Sequence, residues 1–171
     1  QIGIGPGRRV LDLGSGWGPM LNFVRDRGGD GVGVTLSGAQ AEACRRHGLE
    51  VHLRDARRVT RETFGPFDAV ASLGAFEHFC SPEDYWAGRQ EDVYRELFAN
   101  TATTLPEGGR LYLQTMVFGP NMIDPKRVTI DAPRDSDEWY LALMQHQFPG
   151  SWLPFGSEQI EIMLRVIEAG T

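Results

Sequence analysis

The sequence predicts an α/β fold built as a doubly wound, mainly parallel sheet, and three observations carry that reading. Apolar runs alternate with amphipathic stretches along most of the chain, as in successive βαβ units. A glycine-rich turn, Gly14-Ser15-Gly16-Trp17-Gly18, directly follows the first apolar run, at the kind of strand-to-helix junction where open α/β sheets take ligands. The 171 residues, 41% hydrophobic with a net charge of −6, suffice for one core that removes roughly 70% of the unfolded surface from water. They are too apolar and too weakly charged for disorder.

The elements follow in order. Arg9 to Leu13 reads as the first strand, which the glycine turn ends. Pro19 to Arg27 follows as a helix with Met20, Phe23 and Val24 at helical spacing, stopped by Gly28-Gly29. Gly31 to Leu36 is a second strand, and Ser37 is a suitable N-cap for a helix to about His47, closed by Gly48. Glu50 to Arg54 is a short third strand, and Phe67 to Leu73 a fourth, entered through Gly65-Pro66. From Glu83 to Leu105, Tyr94, Leu97, Phe98, Thr101, Ala102 and Leu105 keep i, i+3, i+4 spacing, which predicts one long helix over the sheet. Pro106 to Gly109 turns the chain into a fifth strand, Arg110 to Val117. Residues 118–155 lose periodicity and carry five prolines. So long a stretch reads as a lid or substrate-lining insertion, partly helical around Trp139 to His146. Ser157 to Ala169 is a last amphipathic helix.

Composition excludes several function classes. No apolar run approaches the ~20 residues that cross a bilayer, so at most a peripheral membrane contact is expected. Residues 63–171 hold seven basic and sixteen acidic side chains, a balance that argues against nucleic acid, which needs a basic footprint. Arg54, Arg57, Arg58 and Arg61 form a local basic cluster, either an anion contact or a solvated helix face. Two cysteines, Cys44 and Cys80, make no disulfide framework and point to a reducing, cytoplasmic setting. His47, His52 and His146 show no metal-ligand spacing, so no metal site is expected.

The chemistry-bearing residues cluster at predicted strand ends. Gly14, Gly16 and Gly18 let a ligand approach the backbone where side chains would block it. Their G-x-G-x-G spacing is not the G-x-G-x-x-G of dinucleotide binders, and the second strand ends Thr35-Leu36-Ser37 without the ribose-binding acid. Glu77-His78, after the fourth strand, pairs a carboxylate with an imidazole, groups suited to cation stabilisation and proton removal. Out of context, such a pair is a surface or capping pair. Trp139-Tyr140, Leu143-Met144, Phe148, Trp152 and Phe155 form an apolar tract, either lid packing or a wall for a hydrophobic acceptor. Phe76 and Phe79 are candidates to face a cationic intermediate.

Five pieces in order then carry a resemblance: Leu11 to Gly18; Gly33 to Ser37 with Gln40; Gly74 to Phe79; Leu113-Gln114-Thr115; and Phe148-Pro149-Gly150 with Leu153-Pro154. The sequence resembles class I S-adenosylmethionine (SAM)-dependent methyltransferases, which have a Rossmann-like fold. Within them it is similar to the cyclopropane-fatty-acid and mycolic-acid synthase family. The resemblance implies that Gly14, Ser15, Gly16 and Gly18 let the backbone approach the methionine and ribose part of SAM. Asp12 would hold the loop and reach the amino group indirectly, while Thr35, Leu36 and Gln40 take the ribose end. Asp55 and Ala56 fall where such enzymes contact adenine, although Asp55 also reads as a helix N-cap.

The resemblance further implies Glu77, His78 and Gln114 as catalytic positions. In the lipid-modifying branch the acceptor is an acyl-chain alkene, and a bound bicarbonate takes the proton as the ring closes. Glu77 matches a family bicarbonate contact. Gln114 replaces a family histidine, and glutamine carries no proton or charge at neutral pH, a departure that bears on ring closure. The implied acceptor is an unsaturated acyl chain. The alternatives are methylation of a small-molecule amine or natural product, and an inactive SAM-binding partner subunit. Residues 1–171 are then expected to be a methyltransferase core lacking the family's N-terminal helical segment and last strands.

Overall fold

The computed structural model describes residues 2–119, 123–150 and 152. Five parallel strands, β1 (Arg9–Leu13), β2 (Asp30–Thr35), β3 (Glu50–Leu53), β4 (Ala69–Leu73) and β5 (Arg110–Gln114), lie in the order β3-β2-β1-β4-β5. Leu11 is paired with Val32 on one side and Val70 on the other. The central strands are therefore buried on both faces and read as continuous apolar runs rather than alternating ones. The order reverses between β1 and β4, the topological switch point where such sheets open a ligand crevice at their carboxyl edge.

Two helices cover one face. In α1 (Pro19–Asp26) the inner residues are Leu21 and Val24, while Phe23 turns out to solvent under the Arg27 guanidinium. In α2 (Gly38–Arg46) Ser37 caps the start by accepting from the Gln40 N–H, and Ala41 and Cys44 face a small cluster with Leu21, Leu49 and Val51. The short α3 (Arg61–Phe64) leads into β4.

The single helix expected over 83–105 is two. Ser81 caps α4 (Pro82–Trp86), the chain turns through Ala87-Gly88-Arg89, and α5 (Gln90–Thr104) starts afresh. α5 packs Tyr94, Leu97 and Phe98 against Phe76, Leu11, Val32 and Val70, the main core cluster. β4 begins two residues later than expected, and β5 ends at Gln114 rather than Val117. There the ladder stops where Gly74 N–H donates to the Gln114 carbonyl, and Met116 N–H turns to Glu77 instead. α6 (Asp137–Gln147), capped by Ser136, is the α-helix among the described residues of the 118–155 stretch, which also holds a single 3-10 turn at Pro125–Arg127. The helix expected over 157–169 lies outside the described residues.

Candidate active site

Three loops meet at the carboxyl edge of β1, β2 and β4. Gly14 and Ser15 N–H both donate to the Val34 carbonyl at the end of β2, at 3.0 and 2.9 Å. Ser72 at the end of β4 donates through its hydroxyl to the Leu13 carbonyl. Gly14 (φ +85°) leaves no room for a side chain, because a Cβ there would sit 2.2 Å from the Ala75 Cβ. Gly16 (φ +53°) faces open space. The turn thus presents bare backbone to the crevice while the loops after β1 and β4 touch.

The crevice holds a cavity of about 600 Å³ lined by Gly14, Gly16, Thr35, Leu36, Gln40, Asp55, Ala56, Gly74, His78 and Phe79, among others. Most of the expected cofactor residues are thereby brought together. Ser15, Asp12 and Gly18 lie behind the wall. Ser15 is buried with its hydroxyl toward the Val34 carbonyl, and a Cβ on Gly18 would sit 2.5 Å from Leu49, so that glycine serves helix packing. Asp12 is 2% exposed, and burial pushes its carboxyl up to about 7. Thr35 donates its hydroxyl to Gln40 Oε1 at 2.7 Å, a neutral polar pair in place of an acid.

Asp55 caps the single turn Ala56–Arg58 and holds the Arg57 guanidinium. Burial alone would raise its carboxyl, but the hydrogen bonds and charge of Arg57 outweigh that and keep it below its ordinary value. It is both an N-cap and a wall residue. Arg54, Arg57, Pro149 and Gly150 also line this cavity. The two arginines belong to the basic cluster noted above, and the Phe148-Pro149-Gly150 run marked the other two.

A second cavity of about 180 Å³ lies beside the first and shares Gly74 and His78 with it. Its other walls are Glu77, Met116, Phe118, Leu141, Met144, Gln145, Phe148 and Trp152. Glu77 is 4% exposed, and its Oε1 accepts from Met116 N–H at 2.6 Å, while Oε2 is buried without a partner. Its main-chain carbonyl accepts from Trp152 N–H at 2.9 Å. The Trp152 indole stacks on Tyr85 and meets Phe118 edge-on, and its Nε1 is likewise buried and unpartnered. Met116, Phe118, Leu141 and Gln145 carry no sequence motif and come to this wall by tertiary packing alone.

Other candidates fall elsewhere. Gln114 is exposed at the end of β5 and lines neither cavity. Phe76 is fully buried, stacked on Tyr94 at 4.4 Å, so it is a core residue rather than one facing an intermediate. Trp139 and Tyr140 pack on each other and line neither cavity. Phe155, Leu153 and Pro154 lie outside the described residues. Cys80 is buried, and burial lifts its thiol to about 11, which makes it a packed side chain. Among the described residues no cluster of three or more His, Cys, Asp or Glu could hold a metal ion, and no helix is long and apolar enough to cross a membrane.

Comparison with known proteins agrees with this architecture. The profile of the family described as mycolic acid cyclopropane synthetase matches residues 1–166. Cyclopropane mycolic acid synthase 3 of Mycobacterium tuberculosis is 30% identical over 159 residues, covering 90% of this chain and 52% of that protein. The structure of the cyclopropane synthase MmaA2 from Mycobacterium tuberculosis superposes with a TM-score of 0.68 at 26% identity, over 99% of this chain and 56% of that one. Mycolic acid cyclopropane synthase CmaA1, solved in complex with SAH and CTAB, gives a TM-score of 0.65 at 25% identity, over the same shares of both chains. The chain therefore spans about half the length of the relatives it matches.

Proposed function

The chain belongs to the mycolic acid cyclopropane synthetase family, and on that premise we propose that it forms the core of a SAM-dependent methyltransferase acting on the double bond of an unsaturated acyl chain. The observation that carries this reading is the pair of unlike cavities that share Gly74 and His78, one with polar groups in its wall and one almost wholly apolar, with Glu77 buried beside them.

The residues of the larger cavity fit SAM. Gly14 and Gly16 leave backbone bare along the wall, and the Thr35–Gln40 pair offers neutral hydrogen bonds to a ribose. Asp12 is a buried carboxylate whose ionisation is held back by burial, and a nearby ammonium group would relieve that penalty. Bound there, SAM supplies a methyl group on a sulfonium. The relative CmaA1 was solved in complex with both SAH and CTAB, which supports a cofactor and a second ligand bound to this fold together.

The chain's own contribution is positioning, exclusion of water and handling of a proton. Met116, Phe118, Leu141, Met144 and Phe148 would flank an acyl chain, and the described residues of 118–155 that line the cavity are its substrate-lining part. Glu77 is fixed by Met116 N–H through Oε1, which leaves Oε2 to hold a small acid–base group such as bicarbonate or to accept a proton. His78 borders both cavities and completes the pair. Gln114 is assigned no part in the step.

A labelled-methyl transfer assay with the full-length protein tests this. Unsaturated phospholipids are offered against a panel of amines, and label is expected in the lipid with the mass gain of one methylene. Glu77→Gln should leave SAM affinity within about twofold and lower turnover by about 10²-fold or more. Label in the amines alone would reassign the acceptor, and unchanged turnover of Glu77→Gln would remove Glu77 from the reaction.

A further inference from the structure

One wall of the larger cavity is built beyond the sheet. β3 stops at Leu53, and Arg54 N–H still bonds back to the Thr35 carbonyl of β2 at 3.0 Å. The turn that follows, Ala56–Arg58 with its cap Asp55, puts Asp55, Ala56 and Arg57 into the cavity lining. Within it one arginine engages the whole Asp55 carboxylate. Oδ1 accepts from the Arg57 N–H and Nε–H, and Oδ2 from Nε–H and Nη2–H, at 2.6–3.1 Å. The pair is therefore a shaped block of wall, whose place depends on what holds the turn.

Helix α5 reaches this turn from outside the cavity. Asn100 Nδ2–H donates to the Arg57 carbonyl at 2.7 Å, and Thr103 Oγ1 accepts from Arg61 N–H at 3.1 Å. Residues three apart share a helix face, so α5 presents one polar edge to the connection between β3 and α3. The two bonds differ in what they hold. Arg57 lines the cavity, whereas Arg61 starts α3 and does not. Ala56 and Val59 are buried in the main core, and the Asn100 bond fixes the Arg57–Arg58 peptide between them.

We propose that Asn100 is a positioning residue for the cofactor: by holding the Arg57 carbonyl it presets the turn that walls the larger cavity. A wall ordered before the ligand arrives leaves less conformational freedom to be lost on binding. Asn100 itself lines neither cavity. The inference rests on the reading of the larger cavity as the SAM site and extends that site to the helix behind it.

Full-length protein is titrated with SAH by calorimetry, and SAM saturation is followed by methyl transfer. Alanine is a better helix former than asparagine, so Asn100→Ala removes the amide without weakening α5. The variant is expected to bind SAH about five- to tenfold more weakly, an effect of the size one hydrogen bond supports. Its KM for SAM should rise in step while kcat stays within about twofold, the mark of lost binding rather than lost chemistry. Thr103→Ala removes the neighbouring bond on the same helix face, and should leave SAH affinity within about twofold because the two sites act independently. Unchanged SAH affinity in Asn100→Ala overturns the positioning role. So does an equal loss in both variants, which would mark α5 as plain structural support. Hydrogen exchange gives a second reading that needs no variant. Arg58 and Val59 N–H bond to the Asp55 and Ala56 carbonyls, and both are expected to be protected in the ligand-free wild-type protein. Protection that appears only after SAH is added would mean that the ligand, not Asn100, orders the wall, and overturns the proposal. A wild-type protein that fails to bind SAH overturns the SAM reading of the cavity itself.

Discussion

Asp12 shows how a single residue links the cofactor loop to stability. It sits in β1 between neighbours that are fully buried, and its carboxyl is pushed up to about 7 by burial. A carboxyl raised in the folded state favours folding when protonated. That advantage is complete below its ordinary value of 3.8 and is lost as pH rises through about 7. The ligand-free protein should therefore lose stability between about pH 4 and pH 7 on account of Asp12. At about 1.4 kcal/mol per pH unit the loss amounts to a few kcal/mol. Asp12→Asn should flatten that part of the profile and raise Tm at pH 8, as read by thermal denaturation across pH. An unchanged slope would mean that the carboxylate is already compensated in the fold. The same variant should weaken SAM binding, because a function that needs a charge here explains why a costly one is kept.

At the scale of elements, helix α5 is held by its inner face rather than by its surface pairs. Leu97 is 2% exposed within the cluster of Phe76, Tyr94 and Phe98. Leu97→Ala should cost about 2–5 kcal/mol in denaturant unfolding, because a rigid aromatic surround collapses poorly onto a void. A cost below about 1 kcal/mol would show that this core relaxes freely. The inner face of α5 was legible in the sequence because its apolar spacing is local. The break before it was also written locally, in the Ser81-Pro82 start and the Gly88 turn, but the apolar rhythm of 83–105 runs across both. β1 and β2 were legible to within a residue because buried parallel strands are continuous apolar runs. Glu77 and His78 were legible because strand, glycine and acid–base pair adjoin in sequence. Met116, Phe118 and Leu141 were not, since only the return of the chain past β5 and through α6 brings them against Glu77. Gln114 marks the opposite case, a motif position whose side chain the strand end leaves exposed.

Across the whole molecule, the two cavities are one device only if their shared wall is what joins them. That wall is Gly74 and His78, set by the end of β4 at the switch point of the sheet. Gly74 adopts φ +60°, lines both cavities, and a Cβ on it would meet nothing within 4 Å, so a side chain there has room beside both. Asparagine tolerates left-handed backbone better than other side chains do. Gly74→Asn should therefore fill the junction at a modest backbone cost, with Tm lowered by only a few degrees. Titration with SAH and with a long-chain ligand should each show affinity reduced about tenfold or more, because one side chain intrudes on both volumes. Loss of SAH affinity alone, with the other ligand bound as before, would show that the cavities are neighbours without a common passage. The methyl group would then need a movement of the residues after α6, of which Pro149 and Gly150 line one cavity and Phe148 and Trp152 the other.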